Sequence, residues 1–529
     1  AVEQAPARRQ QPGQVAADTK HDLTADPLGF LTQATHAWTD TFTLGQLQNQ
    51  AYGYLFPHGA FFVLTDPLPD WVAQRLWWWL VMGVGYSGFL LLLRRSRTGT
   101  LPFQVLAAFL FALSPRTLTT LTAISSETWP VILAPWVIVP FLGRLGVCAV
   151  AAAVIPVALM GAVNATATIA ACLPAGLVLV WRMLRRDARA VPTTLGWLAG
   201  CAVVSLWCSG PLLILGRYAP PFTDFIESSF VTTRWLNLIE ILRGTTSWAP
   251  FVDTEREAGF LLVSSPTFVL LTAAVAALGM WGLTLSSTPH RGLWVGMLLV
   301  GVTVLGAAHG PLSAQWLALL DGPLAPFRNL HKFDPLVRIP LLVGVAGLGT
   351  HLPLPRTLHP GRREAAAALV LVVGVAALAP AWSGRLLPRG TWDYVPGYWQ
   401  EATNMLNREA AGTRTLIVPE SSFARQTWGW TRDEPAQPLL DVPWAVRDAV
   451  PLIPAEAIRG LDGVMAVLHH DAEAGMDALR RLGVGAVLHR KDLESGRELD
   501  LPGAQRFGDV EVLLLDPTAD MALTSEDPV

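Results

Sequence analysis

Apolar and polar positions fall along this chain in long blocks. Ten apolar runs occupy 75–93, 101–120, 128–143, 145–163, 165–182, 194–215, 259–284, 293–309, 335–351 and 364–382. Each approaches the roughly 20 residues that a helix needs to cross a bilayer, with the third and fourth short and joined by a tight turn. Soluble cores do not produce ten such blocks. The pattern predicts a mainly α, polytopic membrane core of about ten spanning helices over 17–382, with a first polar loop at 17–74.

Past Trp382 the pattern changes. Segments 414–418, 484–489 and 510–515 read as strands, and 398–410 and 471–482 as helices, the second amphipathic and ended by Gly483. Alternating strand and helix predict a small α/β domain over 383–529. At the other end, residues 1–16 are polar and lack the apolar centre of a leader or spanning helix, so they read as a polar remnant.

Lys and Arg set the orientation. One alternate set of connections is short and basic: Arg94, Arg95 and Arg97; Arg144; Arg182, Arg185, Arg186 and Arg189; Arg291; Arg356, Arg362 and Arg363. The other set (17–74, 121–127, 164, 216–258, 310–334 and everything after 383) is longer, mixed in charge and rich in Gly, Pro, Trp and carboxylates. The first set is expected in the cytoplasm and the second outside a plasma membrane. The C-terminal domain would then be extracytoplasmic.

Composition agrees with this picture. Hydrophobic residues make up 52% of the 529 and charged ones 15%, and 21 Trp stand against 6 Tyr. A net charge of −3 gives no reason to expect a nucleic-acid partner. Cys148, Cys172, Cys201 and Cys208 all lie in apolar runs without metal-ligand spacing, which favours plain packing over disulfide or zinc.

The candidate chemistry lies on the outer set of loops. Asp18, Asp22 and Asp26 recur every four residues, with Lys20 and His21 between them. Further polar stretches are 124–130 with Glu127, 161–164 with Asn164, 218–229 with Asp224 and Glu227, 242–248, and 326–338 with Arg328, His331, Lys332 and Arg338. A carboxylate can take the proton of a sugar hydroxyl, and a cation cluster can neutralise a phosphate. Together they describe glycosyl transfer from a lipid-phosphate sugar. No Gly-rich loop is present to hold a nucleotide. Plainer roles compete: Asp22 or Asp26 capping a helix that opens at Pro27, Asp224 and Glu227 on a solvated face, Arg328, His331 and Lys332 as interfacial anchors, His58 as structural, and Trp77, Trp78 and Trp79 as an interfacial belt.

These stretches closely resemble the actinobacterial α-(1→3)-arabinofuranosyltransferase family called AftD, of the GT-C class of membrane glycosyltransferases. The resemblance rests on 12–28 (PGQVAADTKHDLTADPL), 46–59 (QLQNQAYGYLFPHG), 74–78, 112–121 (ALSPRTLTTL), 124–127, 134–137, 159–165, 220–229, 328–335 (RNLHKFDP), 432–435 (RDEP) and 443–452, and covers nearly all of 12–515. It implies a decaprenyl-phosphate-arabinose donor, an arabinan acceptor of arabinogalactan or lipoarabinomannan, and inversion without a nucleotide. A divalent cation is left open and no metal ligands are assigned. A base in the first outer loop is implied too, with Asp18 as first choice and Asp22 as second. Lys20, Arg328, His331 and Lys332 would bind the donor phosphate, and Glu127, Asn164, Asp224 and Glu227 the sugars. Family members begin with a spanning helix before the first loop and continue well past residue 529, so the chain reads as a shortened relative whose activity needs that helix supplied upstream. The rival readings are a non-catalytic envelope-assembly protein that binds lipid-linked arabinan and recruits protein partners, and a polyprenyl-phosphate flippase. The flippase is disfavoured by spans nearly free of ionisable groups.

Overall fold

In the computed structural model, the structure describes all residues except 1–12, 19, 42–43, 48–50, 219–226, 356–358, 383, 422, 448–452, 454, 497–498 and 517–529. Helices form in all ten apolar runs, but among the described residues only six are long and apolar enough to cross a membrane: Asp70–Arg95, Leu101–Thr120, Ala165–Leu184, Ala190–Ile214, Pro266–Thr284 and Arg291–His309. Six of the roughly ten expected spans thus reach that length among the described residues. The runs at 128–143, 145–163, 335–351 and 364–382 yield helices Ser125–Ile138, Val147–Ala158, Pro335–Leu348 and Arg362–Ala377, of 14, 12, 14 and 16 residues. Counting apolar residues overstates these, because a run continues through turns that end the helix. Gly146, with φ 147°, lies inside the fourth run and directly precedes its helix.

Pro335–Leu348 is the central helix, buried at every residue. Its neighbour Pro266–Thr284 approaches so closely that a Cβ on Gly282 would fall 1.8 Å from the Gly344 carbonyl oxygen, and one on Gly344 would fall 2.0 Å from that of Gly279. Small residues allow this backbone contact inside a membrane bundle, where dispersion and close approach replace the hydrophobic driving force. At the opposite extreme, Ala190–Leu215 buries Ala190, Thr193 and Trp197 but exposes Leu206, Leu213 and Ile214, as suits a helix facing lipid.

The short basic connections gather at one end of the bundle. Gly143 lies against the Arg95 guanidinium, Trp181 stacks edge-on with His290 at 5.1 Å, and Ser287 Oγ meets His351 Nε2 at 2.7 Å. The α/β unit docks on segments of the other set: Val15 and Trp392 exchange backbone hydrogen bonds of 2.7 and 3.1 Å, and Trp444 N–H donates to the Thr41 carbonyl at 2.7 Å.

Strand β1 (Trp38–Thr39) pairs with β2 (Gln46–Leu47) in the first loop. The α/β unit carries β3 (Arg414–Val418), β4 (Ala424–Gln426), β5 (Gly429–Arg432), β6 (Trp444–Ala445), β7 (Val484–Arg490), β8 (Gln505–Phe507) and β9 (Val510–Leu514). Five of these form a sheet in the order β6-β3-β7-β9-β8, parallel from β6 to β7 and antiparallel beyond it, while β4 and β5 make a separate hairpin. Alternation splits β3 between two cores. Ile417 packs with Trp399, Ala402 and Leu406 of helix Gly397–Glu409, while Leu416 and Val418 pack with Leu461, Met465 and Leu479 of helices Ala455–His470 and Ala472–Arg481. The expected strands and two of these helices are present, with Gly483 at φ 70° ending the last helix.

Candidate functional site

The site is assembled at the N-terminal end of helix Ser125–Ile138. Asp18 reaches it from the first loop: its Oδ1 accepts the Ser125 backbone N–H at 2.8 Å and its Oδ2 accepts the Trp78 indole N–H at 2.7 Å. A carboxylate at a helix N-terminus satisfies a donor with no partner within the helix and meets the positive end of the helix dipole. The same loop is tied to helix Asp70–Arg95 by Gln74, whose side chain both accepts from Ala16 N and donates to Ala16 O.

The four-residue spacing of the acids does not keep them together, because the helix there spans only His21–Ala25. Asp26 serves as the N-cap of Pro27–Ala34, accepting Gly29 N–H at 3.0 Å, as its plainer reading anticipated. Asp22 turns toward the α/β unit, where Gln437 Nε2 donates to its Oδ2 at 2.5 Å; its Oδ1 is buried without a hydrogen-bond partner among the described residues. Burial, followed by the charge of Asp433, pushes the Asp22 carboxyl up to about 7, against the opposing pull of Lys20 and Gln437. Lys20 donates to Asp433 at 3.0 Å, and that carboxylate holds the ammonium above its ordinary range. His21 is buried and pushed down to about 4 by desolvation.

Two residues past Ser125, Glu127 forms the centre of a buried charge cluster. Its Oε1 lies 2.7 Å from Arg116 Nη2 and 3.1 Å from His331 Nε2, and its Oε2 lies 3.5 Å from Lys332 Nζ and 3.5 Å from Asn164 Nδ2. Lys332 also donates to Asn164 Oδ1 at 3.2 Å, and Arg116 Nη1 donates to the His331 carbonyl at 2.5 Å. Burial pushes the His331 imidazole down to about 4, so it is neutral at pH 7, and lowers the Lys332 ammonium against the pull of Glu127. A buried carboxylate ringed by cations is the geometry in which such charges are tolerated.

The structure thus joins Glu127, Asn164, His331 and Lys332 in one cluster and Lys20 and Asp22 in another, with Asp18 anchored beside the first. Glu227 acts on Lys332 through space, while Asp224 lies outside the described residues. Arg328 is buried and, among the described residues, its guanidinium has no hydrogen-bond or ion-pair partner. Arg338 instead pairs with Asp334 at 3.2 Å and caps carbonyls at the end of Leu238–Arg243. Trp77 and Trp78 are buried, leaving only Trp79 of that run exposed; Trp77 packs on His58 at 4.7 Å and on Trp129 at 5.1 Å. The expected Trp belt is therefore mostly an internal aromatic cluster, and His58 lies inside it.

Sequence reasoning missed four contributors. Arg116, Asp433 and Gln437 lie in or next to stretches already singled out, but nothing in those stretches marks their partners. Arg256 gave no signal at all. Its guanidinium feels Arg432, Glu255, Glu127 and Asp253, is pushed down to about 10 by burial, and has no hydrogen-bond or ion-pair partner among the described residues. No three His, Cys, Asp or Glu side chains converge as metal ligands among the described residues, and all four cysteines are free.

A helical membrane core with its charged groups gathered under a small α/β unit is an architecture of the GT-C type. The apo oligosaccharyltransferase of Archaeoglobus fulgidus matches it with a TM-score of 0.50 over 89% of this chain and 66% of that one, at 11% identity, a likeness of fold alone. Residues 4–506 match the family described as α-(1→3)-arabinofuranosyltransferase, N-terminal GT-C domain, and the chain belongs to that family. It is 46% identical over 517 residues to the α-(1→3)-arabinofuranosyltransferase of Mycobacterium tuberculosis, covering 92% of this chain and 37% of that protein. The Mycolicibacterium smegmatis relative is 45% identical over 512 residues, with 92% and 36% covered. The cryo-EM structure of arabinofuranosyltransferase AftD from mycobacteria matches with a TM-score of 0.80 at 37% identity, over 97% of this chain and 39% of that one. The chain spans little more than a third of the length of these relatives.

Proposed function

We propose that this chain carries the transfer site of a membrane arabinofuranosyltransferase. It moves arabinofuranose from decaprenyl-phosphate-arabinose to arabinan of arabinogalactan or lipoarabinomannan, on the extracytoplasmic side of the plasma membrane. The observation that carries this reading is the meeting of Asp18 and Glu127 on the first turn of one helix: one draws in the acidic loop, the other the cation-bearing segment 328–332. The names of the family and of its mycobacterial relatives support the chemistry, and the long mixed-charge loops support the side of the membrane.

In the step proposed, the acceptor hydroxyl oxygen attacks C1 of the arabinose opposite the phosphate. The new C–O bond forms as the C1–O bond to phosphate breaks, the bonding pair leaves with the polyprenyl phosphate, and the configuration at C1 inverts. The hydroxyl proton passes to a carboxylate. Asp22 is favoured over Asp18 for this role: both Asp18 oxygens already accept hydrogen bonds, whereas Asp22 keeps an Oδ1 without a partner among the described residues and an affinity for protons poised near neutrality. Asp18 then fixes the loop on the helix. Arg256 and Arg328 take the leaving phosphate, since neither guanidinium is engaged elsewhere among the described residues. Lys332 adds charge behind them, Lys20 holds the acid pair, and Glu127, Asn164 and Glu227 set the polar floor on which the sugars lie.

The test is transfer of radiolabelled arabinose from synthetic decaprenyl-phosphate-arabinose to a short arabinoside by purified protein. Asp22→Asn is expected to abolish transfer while donor binding persists. Full transfer by Asp22→Asn would overturn the assignment of the base. Binding without transfer in the unmodified protein would overturn the enzyme reading in favour of an envelope-assembly protein.

A further inference from the structure

Residues 432–437 follow the β4–β5 hairpin of the α/β unit and lie directly over the acidic loop. We infer that Asp433 and Gln437 are positioning residues for Asp22, so that the α/β unit completes and tunes the proton-accepting site of the membrane core; this rests on the reading of Asp22 as the base.

Each side chain in this segment is fastened to a different part of the molecule. Arg432 donates through Nε to Glu255 at 2.8 Å and through Nη1 to the Ala123 carbonyl at 3.1 Å, two residues before helix Ser125–Ile138. Asp433 accepts from Lys20 Nζ at 3.0 Å and from the His21 backbone N–H at 3.0 Å. Glu434 pairs with the buried Arg490 of β7. Gln437 donates to Asp22. Arg432 holds φ 63°, a left-handed conformation uncommon outside glycine, which persists only where the surroundings determine it. The segment is a rigid clasp staked to the membrane core on one side and to the sheet on the other.

Its effect on Asp22 follows from the charges that face that carboxyl. Lys20 and His21 come from its own segment, Asp433 and Gln437 from the α/β unit, and Tyr54 from the chain before Pro57. His21 is neutral at pH 7. Asp433 claims Lys20 by hydrogen bond and ion pair, which leaves Asp22 facing a second carboxylate; that disfavours its charged form. Gln437 offers an N–H, which favours the charged form. The two clasp residues therefore pull Asp22 in opposite directions, while the fold around them stays fixed.

The pH dependence of transfer reads this directly. With the full chain and synthetic decaprenyl-phosphate-arabinose as donor, activity rises with pH as Asp22 loses its proton. Asp433→Asn is expected to move that rise to lower pH by about one unit, and Gln437→Leu to move it to higher pH. A purely structural role would lower activity at every pH and leave the midpoint unmoved, so unmoved midpoints, or shifts of the same sign, overturn the inference. Should Asp433→Asn fail to fold, as judged by its melting curve, the Gln437→Leu midpoint decides alone by the same criterion. Asp22→Asn separates the two levels: if it keeps full transfer, the underlying assignment of the base fails, whereas loss of transfer with unmoved clasp midpoints removes the clasp role only.

Discussion

The Trp78 indole N–H lies 2.7 Å from Asp18 Oδ2, a contact that bridges sixty residues of sequence and ties the first loop to helix Asp70–Arg95. Both groups are buried, at 3% and 7% exposure, so water cannot replace the bond if it is lost. Trp78→Phe keeps the apolar ring and removes the donor. A hydrogen bond to a charged group contributes about 1.5–3 kcal/mol. A loss of that size is expected in detergent-solubilised unfolding measurements, together with reduced transfer, because Asp18 then loses one of the contacts that seat it on helix Ser125–Ile138.

Glu127 balances Arg116 and Lys332 in a site where its side chain is 8% exposed and theirs 1% and 8%. Glu127→Gln keeps the shape and removes the charge, leaving two buried cations without the carboxylate that pairs with both. Breaking a buried pair from one side costs about 3–5 kcal/mol. The variant should express poorly or melt well below the unmodified protein, and Glu127→Asp should fall between them. A melting curve unchanged by Glu127→Gln would show that the cations are compensated elsewhere.

The regularities visible in the chain were those of short range. Apolar blocks mark the helices, and the strands at 414–418 and 484–489 stand out as apolar runs bounded by turn residues. Helix Ala455–His470 went unread, although Ile458, Leu461, Met465 and Leu468 form its buried face. Spacing also misjudged the acids: Asp18, Asp22 and Asp26 look like one face, yet Pro27 starts a new helix and sends each to a different partner. Contacts such as Lys20 with Asp433 or Glu127 with His331 join positions hundreds of residues apart, and no local pattern encodes them. Arg256 is the extreme case, a lone arginine in a mixed loop whose importance arises only from where the fold places it.

Asp22 gives a pH dependence of stability with a definite sign. Its folded-state affinity for protons, about 7, lies above the ordinary 3.8, so the protonated form is the one the fold prefers. The stability it contributes is complete below about 3.8, falls as pH climbs through the interval, and is gone above about 7. Asp22→Asn removes the buried charge. Its melting temperature should exceed that of the unmodified protein at pH 8 and converge with it near pH 4, even as transfer is lost. Melting curves at the two pH values check this, and a variant less stable at pH 8 would contradict the assignment.

Arg256 and Arg328 differ from the other arginines near the site in having no hydrogen-bond or ion-pair partner among the described residues, so removing either guanidinium breaks no hydrogen bond or ion pair there. Arg256 is also held among Glu127, Glu255 and Asp253, which draws a cation into place, while Arg432 opposes it. A group kept under such tension gains most when an anion arrives. Arg256→Ala should therefore leave the melting temperature unchanged. Loss of about 1.5–3 kcal/mol of charge-assisted hydrogen bonding to a phosphate corresponds to roughly a ten- to hundredfold rise in donor KM. Arg256→Lys restores the charge but not the planar fork and should recover part of the loss. Substitution of Arg338, whose guanidinium caps helix carbonyls and pairs with Asp334, should show the reverse pattern, with stability falling and donor KM little changed among molecules that fold. Donor titrations and melting curves on the same preparations distinguish these patterns, and an Arg256→Ala variant with unaltered donor KM would remove it from the phosphate site.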